Sequence, residues 1–157
     1  MTLAAEILAR AKAQGAMIAT VESCTGGLVA AALTDIPGSS AVFERGFVTY
    51  TNDAKTELVG VQAATLAAHG AVSEEVAAEM AQGALSHAPV QYAVSVTGIA
   101  GPGGSEFKPE GRVCFGIASP SGVKTETEEF GPLGREKVRQ AARDHALRIL
   151  YDALQAD

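Results

Sequence analysis

Positive charge is scarce in this sequence, cysteine scarcer, and long apolar runs are missing. Lys and Arg number 12 against 18 Asp and Glu, a formal net charge of −6. Wrapping a phosphate backbone depends on clustered Lys and Arg that displace counterions, so the balance argues against a nucleic-acid partner. One small phosphorylated ligand needs only a local site. The two cysteines, Cys24 and Cys114, lie far apart and form no CxxC pair, which indicates neither a disulfide framework nor a zinc site. Reduced cytosol is the expected compartment. Glu6, Arg10 and Lys12 interrupt the first apolar segment and break up any signal-peptide core, and no later run approaches membrane-spanning length. The expectation is a soluble cytoplasmic protein with no membrane partner.

What is present is ordinary globular material. The chain has 157 residues, 47% apolar and 19% charged, enough for one domain with a substantial core. Apolar residues at Leu3, Ile7, Leu8 and Ala11 recur at helical intervals and stop at Gln14-Gly15. Residues 17–21 read as a short buried strand and 25–33 as a helix stopped by Asp35-Ile36-Pro37-Gly38. A strand over 43–51 is followed by a short helix that Asn52-Asp53 can cap, running through Lys55 and Leu58. Residues 63–69 add a further turn or two ended by Gly70, and Ser73-Glu74-Glu75 opens a firmer helix to about residue 85. After a strand at 92–96 comes a glycine-rich loop over 98–111, then a hairpin of 113–118 and 124–129, then a long closing helix over 133–154. No repeat or linker divides this order. Helices alternating with strands, plus one hairpin, imply a single-domain, three-layer α/β/α sandwich with a mixed, mostly parallel sheet.

The stretch TVESCTGGLVAA, residues 20–31, carries the first chemical signal. Ser23 falls at the carboxyl end of the first strand, just before a helix whose first turn is Thr25-Gly26-Gly27, where open α/β sheets gather ligands. Free N–H groups there, backed by the helix dipole, favour an anion or a developing oxyanion. Ser23 or Thr25 can instead simply cap the helix. Capping does not require two glycines, however, and their bare backbone lets a ligand approach closely.

A serine is a weak nucleophile unless a neighbour takes its proton. His69, His87 and His145 sit at helix ends or on helices, where solvated positions explain them. In GFVTYTNDAKTEL, Lys55 follows a strand end and can stand on the same rim as Ser23, with Tyr50 beside it to donate to the serine oxygen or to a substrate. As a base, Lys55 would need its pKa lowered from about 10.4 by roughly three units, through desolvation or a cationic neighbour. A surface lysine after a strand gives the same spacing. Ser121-Gly122-Val123-Lys124 has SxxK spacing, but it spans a Pro-Ser-Gly turn rather than a helix and belongs to the hairpin.

The loop VTGIAGPGGSEFKPEG fits neither GxGxxG nor GxxxxGK[ST]. Thr97-Gly98 nevertheless repeats the pattern of a hydroxyl and bare backbone at a strand's carboxyl end, and with Gly101 it would add donors to one cleft. Arg135, ahead of the last helix, can contribute a fixed positive charge there.

Taken together, ESCTGGLVAAALTDIPGSSAVFERGFVTYTNDAK, HGAVSEEVA, VTGIAGPGG and KPEGRVCFGIA closely resemble the C-terminal domain of the competence/damage-inducible CinA proteins, in its stand-alone nicotinamide-nucleotide amidase form. The likeness runs from about residue 4 to residue 152. The larger CinA proteins carry an extra N-terminal pyrophosphatase domain, to which nothing here corresponds. The resemblance implies hydrolysis of nicotinamide mononucleotide to nicotinate mononucleotide and ammonia in pyridine-nucleotide salvage, without metal or other cofactor. It implies Ser23 as nucleophile, Lys55 as base and Tyr50 assisting, on a three-layer α/β/α fold. Backbone groups around Cys24, Thr25, Gly26 and Gly27 would then hold the oxyanion or the phosphate, with Thr97, Gly98, Gly101 and Arg135 completing the substrate site. The alternative is a nucleotide-binding regulatory module that keeps the pocket without turnover. A homodimer is compatible with the alanine-rich helical surface.

Overall fold

The computed structural model describes every residue of the chain except Glu106. Helix α1, Leu3–Gln14, starts where the Thr2 hydroxyl accepts the Ala5 N–H and ends at Gly15 in the left-handed region, φ 68°. Strand β1, Ile18–Glu22, leads into α2, Leu28–Thr34, and a 3₁₀ turn at Ser39–Ala41 precedes β2, Phe43–Val48. Helices α3, Asn52–Val59, α4, Ala63–His69, and α5, Glu74–His87, follow, and then β3, Tyr92–Gly98. The hairpin β4, Arg112–Ser119, and β5, Gly122–Glu129, precedes the last helix, α6, Arg135–Ala156.

Three local expectations differ from this. The segment 25–27 is a turn rather than the first turn of a helix, because Gly26 and Gly27 adopt positive φ and α2 begins only at Leu28. Strand β2 stops at Val48, earlier than its apolar alternation suggests, and the chain turns at 49–51 into α3. The cap of α3 is the Thr51 hydroxyl, which accepts the Ala54 N–H, so Asn52 and Asp53 already lie inside the helix.

The five strands lie in the order β2-β1-β3-β4-β5. β1 pairs in parallel with both β2 and β3, while β3 with β4 and β4 with β5 are antiparallel, so β4 alone runs against the other strands. The sheet is therefore mixed and mostly of one direction. Alternation along β1 and β3 separates two apolar layers. Ile18, Tyr92, Val94 and Val96 pack under α1, α2 and α6, whereas Ala19, Val21 and Ala93 meet α5 and the end of α3. Small residues let α5 lie close to the sheet: a Cβ on Gly116 would stand 2.5 Å from the Ala77 carbonyl oxygen, and the Ser95 hydroxyl donates to that carbonyl at 2.6 Å. No helix among the described residues is long and apolar enough to cross a membrane.

Candidate active site

Because β1, β2 and β3 are parallel neighbours, their carboxyl ends finish on one rim, and the loops after them meet there. They enclose a cleft of about 360 Å³ lined by residues including Ser23, Cys24, Tyr50, Lys55, Thr97, Gly98, Gly101 and Arg135.

Ser23 is fixed by its own backbone. Its N–H donates to the Val96 carbonyl at 2.9 Å, extending the β1–β3 pairing by one residue, and its carbonyl accepts the Gly26 N–H at 3.0 Å to close a tight turn. Lys55 arrives from α3, in the turn that Thr51 caps. Helical side chains lean toward the amino terminus, so this one points back at the loop that starts its helix. Its Nζ donates to the Thr49 carbonyl at 3.1 Å and the Tyr50 carbonyl at 3.4 Å, and lies 3.2 Å from Ser23 Oγ. Lys55 is 1% exposed and Ser23 8%. A primary alcohol and a primary amine thus share one buried hydrogen bond at the floor of a cleft.

The remaining predicted residues divide. Thr97, Gly98, Gly101 and Arg135 all line the cleft. The Thr97 hydroxyl donates to the Ala71 carbonyl at 2.9 Å, and a Cβ on Gly98 would meet Val113 Cγ2 at 2.7 Å, so both are held against neighbouring elements. Arg135 bridges the mouth, donating to the Gly101 carbonyl at 2.7 Å and to the Tyr50 hydroxyl at 2.8 Å. The Tyr50 phenol therefore faces Arg135 at the rim, while the backbone carbonyl of the same residue meets Lys55.

Thr25, Gly26 and Gly27 do not line the cleft, contrary to expectation. At Gly27 and the start of α2 the N–H groups are taken by Glu22, the last residue of β1, which is 1% exposed. Its carboxylate accepts the N–H groups of Gly27 at 3.2 Å, Val29 at 2.9 Å and Ala30 at 3.0 Å. The amino terminus of α2 thus already holds an internal anion, and the Gly26 N–H is committed to Ser23. An incoming anion finds no free helix terminus at α2. Sequence reasoning missed Glu22 because its capping bonds reach forward five to eight residues from a strand end. It also missed Arg139, whose guanidinium donates to the carbonyls of Cys24 at 3.1 Å and Thr25 at 3.2 Å from the far end of the chain.

Cys24 lines the cleft beside Ser23, but burial pushes its thiol up to about 12, so it is a thiol at neutral pH. Both cysteines are free. The histidines stay on helices outside the cleft: His69 lies near Glu75, His87 bonds the Gly83 carbonyl and His145 pairs with Glu126. Ser121 hydrogen-bonds Ser119 at the hairpin turn.

The family model described as CinA C-terminal domain matches residues 1–154. Nicotinamide-nucleotide amidohydrolase PncC of Escherichia coli (strain K12) is 53% identical over 152 residues, which cover 96% of this chain and 92% of that protein. A CinA-like protein of Chlorobium phaeobacteroides (strain BS1) is 52% identical over 149 residues, covering 91% of this chain but 35% of the longer relative. Among solved structures, that of the competence/damage inducible protein CihA from Agrobacterium tumefaciens superposes with a TM-score of 0.93 at 49% identity, over 98% of this chain and 93% of that one. With the motifs, the fold and these matches in agreement along nearly its whole length, the chain belongs to the CinA C-terminal domain family.

Proposed function

We propose that this chain is a nicotinamide-nucleotide amidohydrolase, which cuts the carboxamide of nicotinamide mononucleotide to give nicotinate mononucleotide and ammonia. The observation that carries this reading is the buried contact between Lys55 Nζ and Ser23 Oγ, 3.2 Å. The 53% identity to a relative bearing that activity in its name supports the substrate.

The chemistry runs on these two groups. Neutral Lys55 takes the Ser23 proton as Oγ bonds to the carboxamide carbon, and the carbonyl π electrons move onto oxygen. Burial works in the needed direction, since loss of water penalises the ammonium form. The tetrahedral oxyanion is received by the N–H group of Cys24, a residue that lines the cleft, because those of Gly26 and Gly27 are already engaged. The Lys55 ammonium then gives its proton to the amide nitrogen and ammonia leaves. Water attacks the acyl-serine while Lys55 takes its proton, and collapse of the second oxyanion returns that proton to Ser23 Oγ. The cationic pyridinium ring withdraws electrons from the amide and eases both attacks. The ribose phosphate lies toward the mouth, near Arg135 and the loop from Gly101 to Ser105, rather than at α2. Tyr50 assists from that rim through Arg135. Nucleophile and base are both protein groups, so the reaction calls for no cofactor.

On this reading the chain is one catalytic domain acting on a small-molecule nucleotide in the cytoplasm, within pyridine-nucleotide salvage, as a monomer or homodimer. The test is ammonia release from nicotinamide mononucleotide by wild type, Ser23→Ala and Lys55→Ala, each with and without chelator. Turnover by the wild type, indifferent to chelator, with a loss of at least about 100-fold in each variant is expected. Tight nucleotide binding with no ammonia from the wild type would select the regulatory module instead.

A further inference from the structure

The N–H group assigned to the oxyanion, that of Cys24, connects back to a side chain of the last helix, Arg139 of α6. Its Nε donates to the Cys24 carbonyl at 3.1 Å. This bond fixes the plane of the Cys24–Thr25 peptide, directly after the Cys24 N–H in the chain. The second branch is longer. Arg139 Nη2 donates to the Thr25 carbonyl at 3.2 Å, whose peptide partner is the Gly26 N–H. The Gly26 N–H donates to the Ser23 carbonyl at 3.0 Å, and the peptide partner of that carbonyl is the Cys24 N–H.

We infer that Arg139 is a positioning residue for the amide-cleaving reaction: its guanidinium orients and polarises the Ser23–Gly26 turn so that the Cys24 N–H group stands ready for the oxyanion. This rests on the reading of Ser23 as nucleophile. Two effects act together. A planar fork that engages two successive carbonyls fixes both peptide planes, so little reorganisation remains when charge develops. A cation at the head of a hydrogen-bonded chain also strengthens each later donor through polarisation. The guanidinium packs close beneath the turn: a Cβ on Gly26 would lie 3.5 Å from Nη2. Arg139 itself is absent from the cleft wall, whereas Arg135, one helical turn earlier, is on it. The two arginines on one face of α6 therefore divide the work, Arg135 toward the ligand and Arg139 behind the nucleophile.

The experiment compares wild type, Arg139→Ala and Arg139→Lys for steady-state ammonia release from nicotinamide mononucleotide. It adds the rate at which a simple alkyl fluorophosphonate labels Ser23, a step in which Oγ bonds to phosphorus, fluoride leaves and Lys55 takes the proton. Arg139→Ala is expected to lower kcat by about 10- to 100-fold with KM within about threefold, less than the about 100- to 1,000-fold for loss of an oxyanion donor itself, since Arg139 acts through the turn. Labelling should slow in parallel, and Arg139→Lys, which keeps the charge but not the fork, should fall between. Circular dichroism confirms that the compared proteins are folded; if Arg139→Ala is not, Arg139→Lys alone must still show the kcat loss. Wild type that releases no ammonia sinks the nucleotide-amidase reading, and the labelling ratio then decides the role of Arg139 by itself, since labelling needs no nucleotide. Unchanged kcat and labelling in a folded variant, an effect on KM alone, or wild-type Ser23 that resists labelling would each overturn the inference.

Discussion

The Glu22 carboxylate accepts the Val29 N–H at 2.9 Å from a position 1% exposed, so a residue that ends a strand also caps the helix that follows it. This bond, with those from Gly27 and Ala30, holds the Ser23 turn between two rigid elements. Replacing Glu22 by Ala strands three buried or half-buried donors and should destabilise the chain by about 3 to 5 kcal/mol in urea unfolding. Glu22→Gln keeps one acceptor oxygen and should cost less. Equal stability of Glu22→Ala and wild type would refute the capping role.

Cys24 offers a pH prediction. Burial, the largest influence, raises its pKa from the ordinary 9.0 to about 12. Below pH 9.0 the thiol is protonated in both folded and unfolded chains, and its contribution to stability is fully present. Between 9.0 and about 12 only the unfolded chain ionises, so stability should fall through that window. Cys24→Ala should flatten the fall. Iodoacetamide at pH 8 should leave Cys24 unmodified over hours by mass spectrometry, and ammonia release should persist in Cys24→Ala because the assigned donor is backbone.

Gly83 lies inside α5, where Ala would ordinarily gain about 1 kcal/mol of helix propensity. Here a Cβ would stand 1.8 Å from the Val59 carbonyl oxygen at the end of α3. Gly83→Ala is therefore expected to lower stability by about 1 to 3 kcal/mol, the usual range for overpacking. It should also lower activity at temperatures where the protein is still folded, since α3 carries Lys55. A rise in thermal midpoint would contradict the close crossing.

Tyr50 and Arg135 hold each other across the mouth at 2.8 Å. Tyr50→Phe leaves the backbone carbonyl that meets Lys55 and removes only the rim hydroxyl. The expected result is a rise in KM of about three- to tenfold with kcat changed less, a loss of binding rather than of transition-state contact. Arg135→Ala should show the same pattern more strongly. A 100-fold drop in kcat for Tyr50→Phe would instead put the phenol in the proton path.

Local physics made much of this molecule legible before folding was considered. The α1 stop at Gly15, the extent of α4 and the Ser73 cap of α5 follow from glycine and hydroxyl chemistry that acts within four residues. Ser23 and Lys55 were both marked as rim residues by their places after strand ends. Their meeting was implied by family resemblance, not by spacing, since 32 residues separate them. That the Gly26 and Gly27 N–H groups are engaged within the chain was not legible, because periodicity cannot see a carboxylate folding forward onto the helix start.

Composition and periodicity alone determined an α/β domain with parallel strands whose loops share a rim, because those patterns follow from side-chain alternation and turn chemistry. Only the tertiary structure decided which rim groups are available. It turned the Tyr50 phenol toward Arg135, filled the amino terminus of α2 with Glu22 and brought Arg139 under a turn 115 residues away. Hydrogen-bond donors are claimed by whatever acceptor folding brings within about 3 Å, and that proximity is a property of the packed chain rather than of its order.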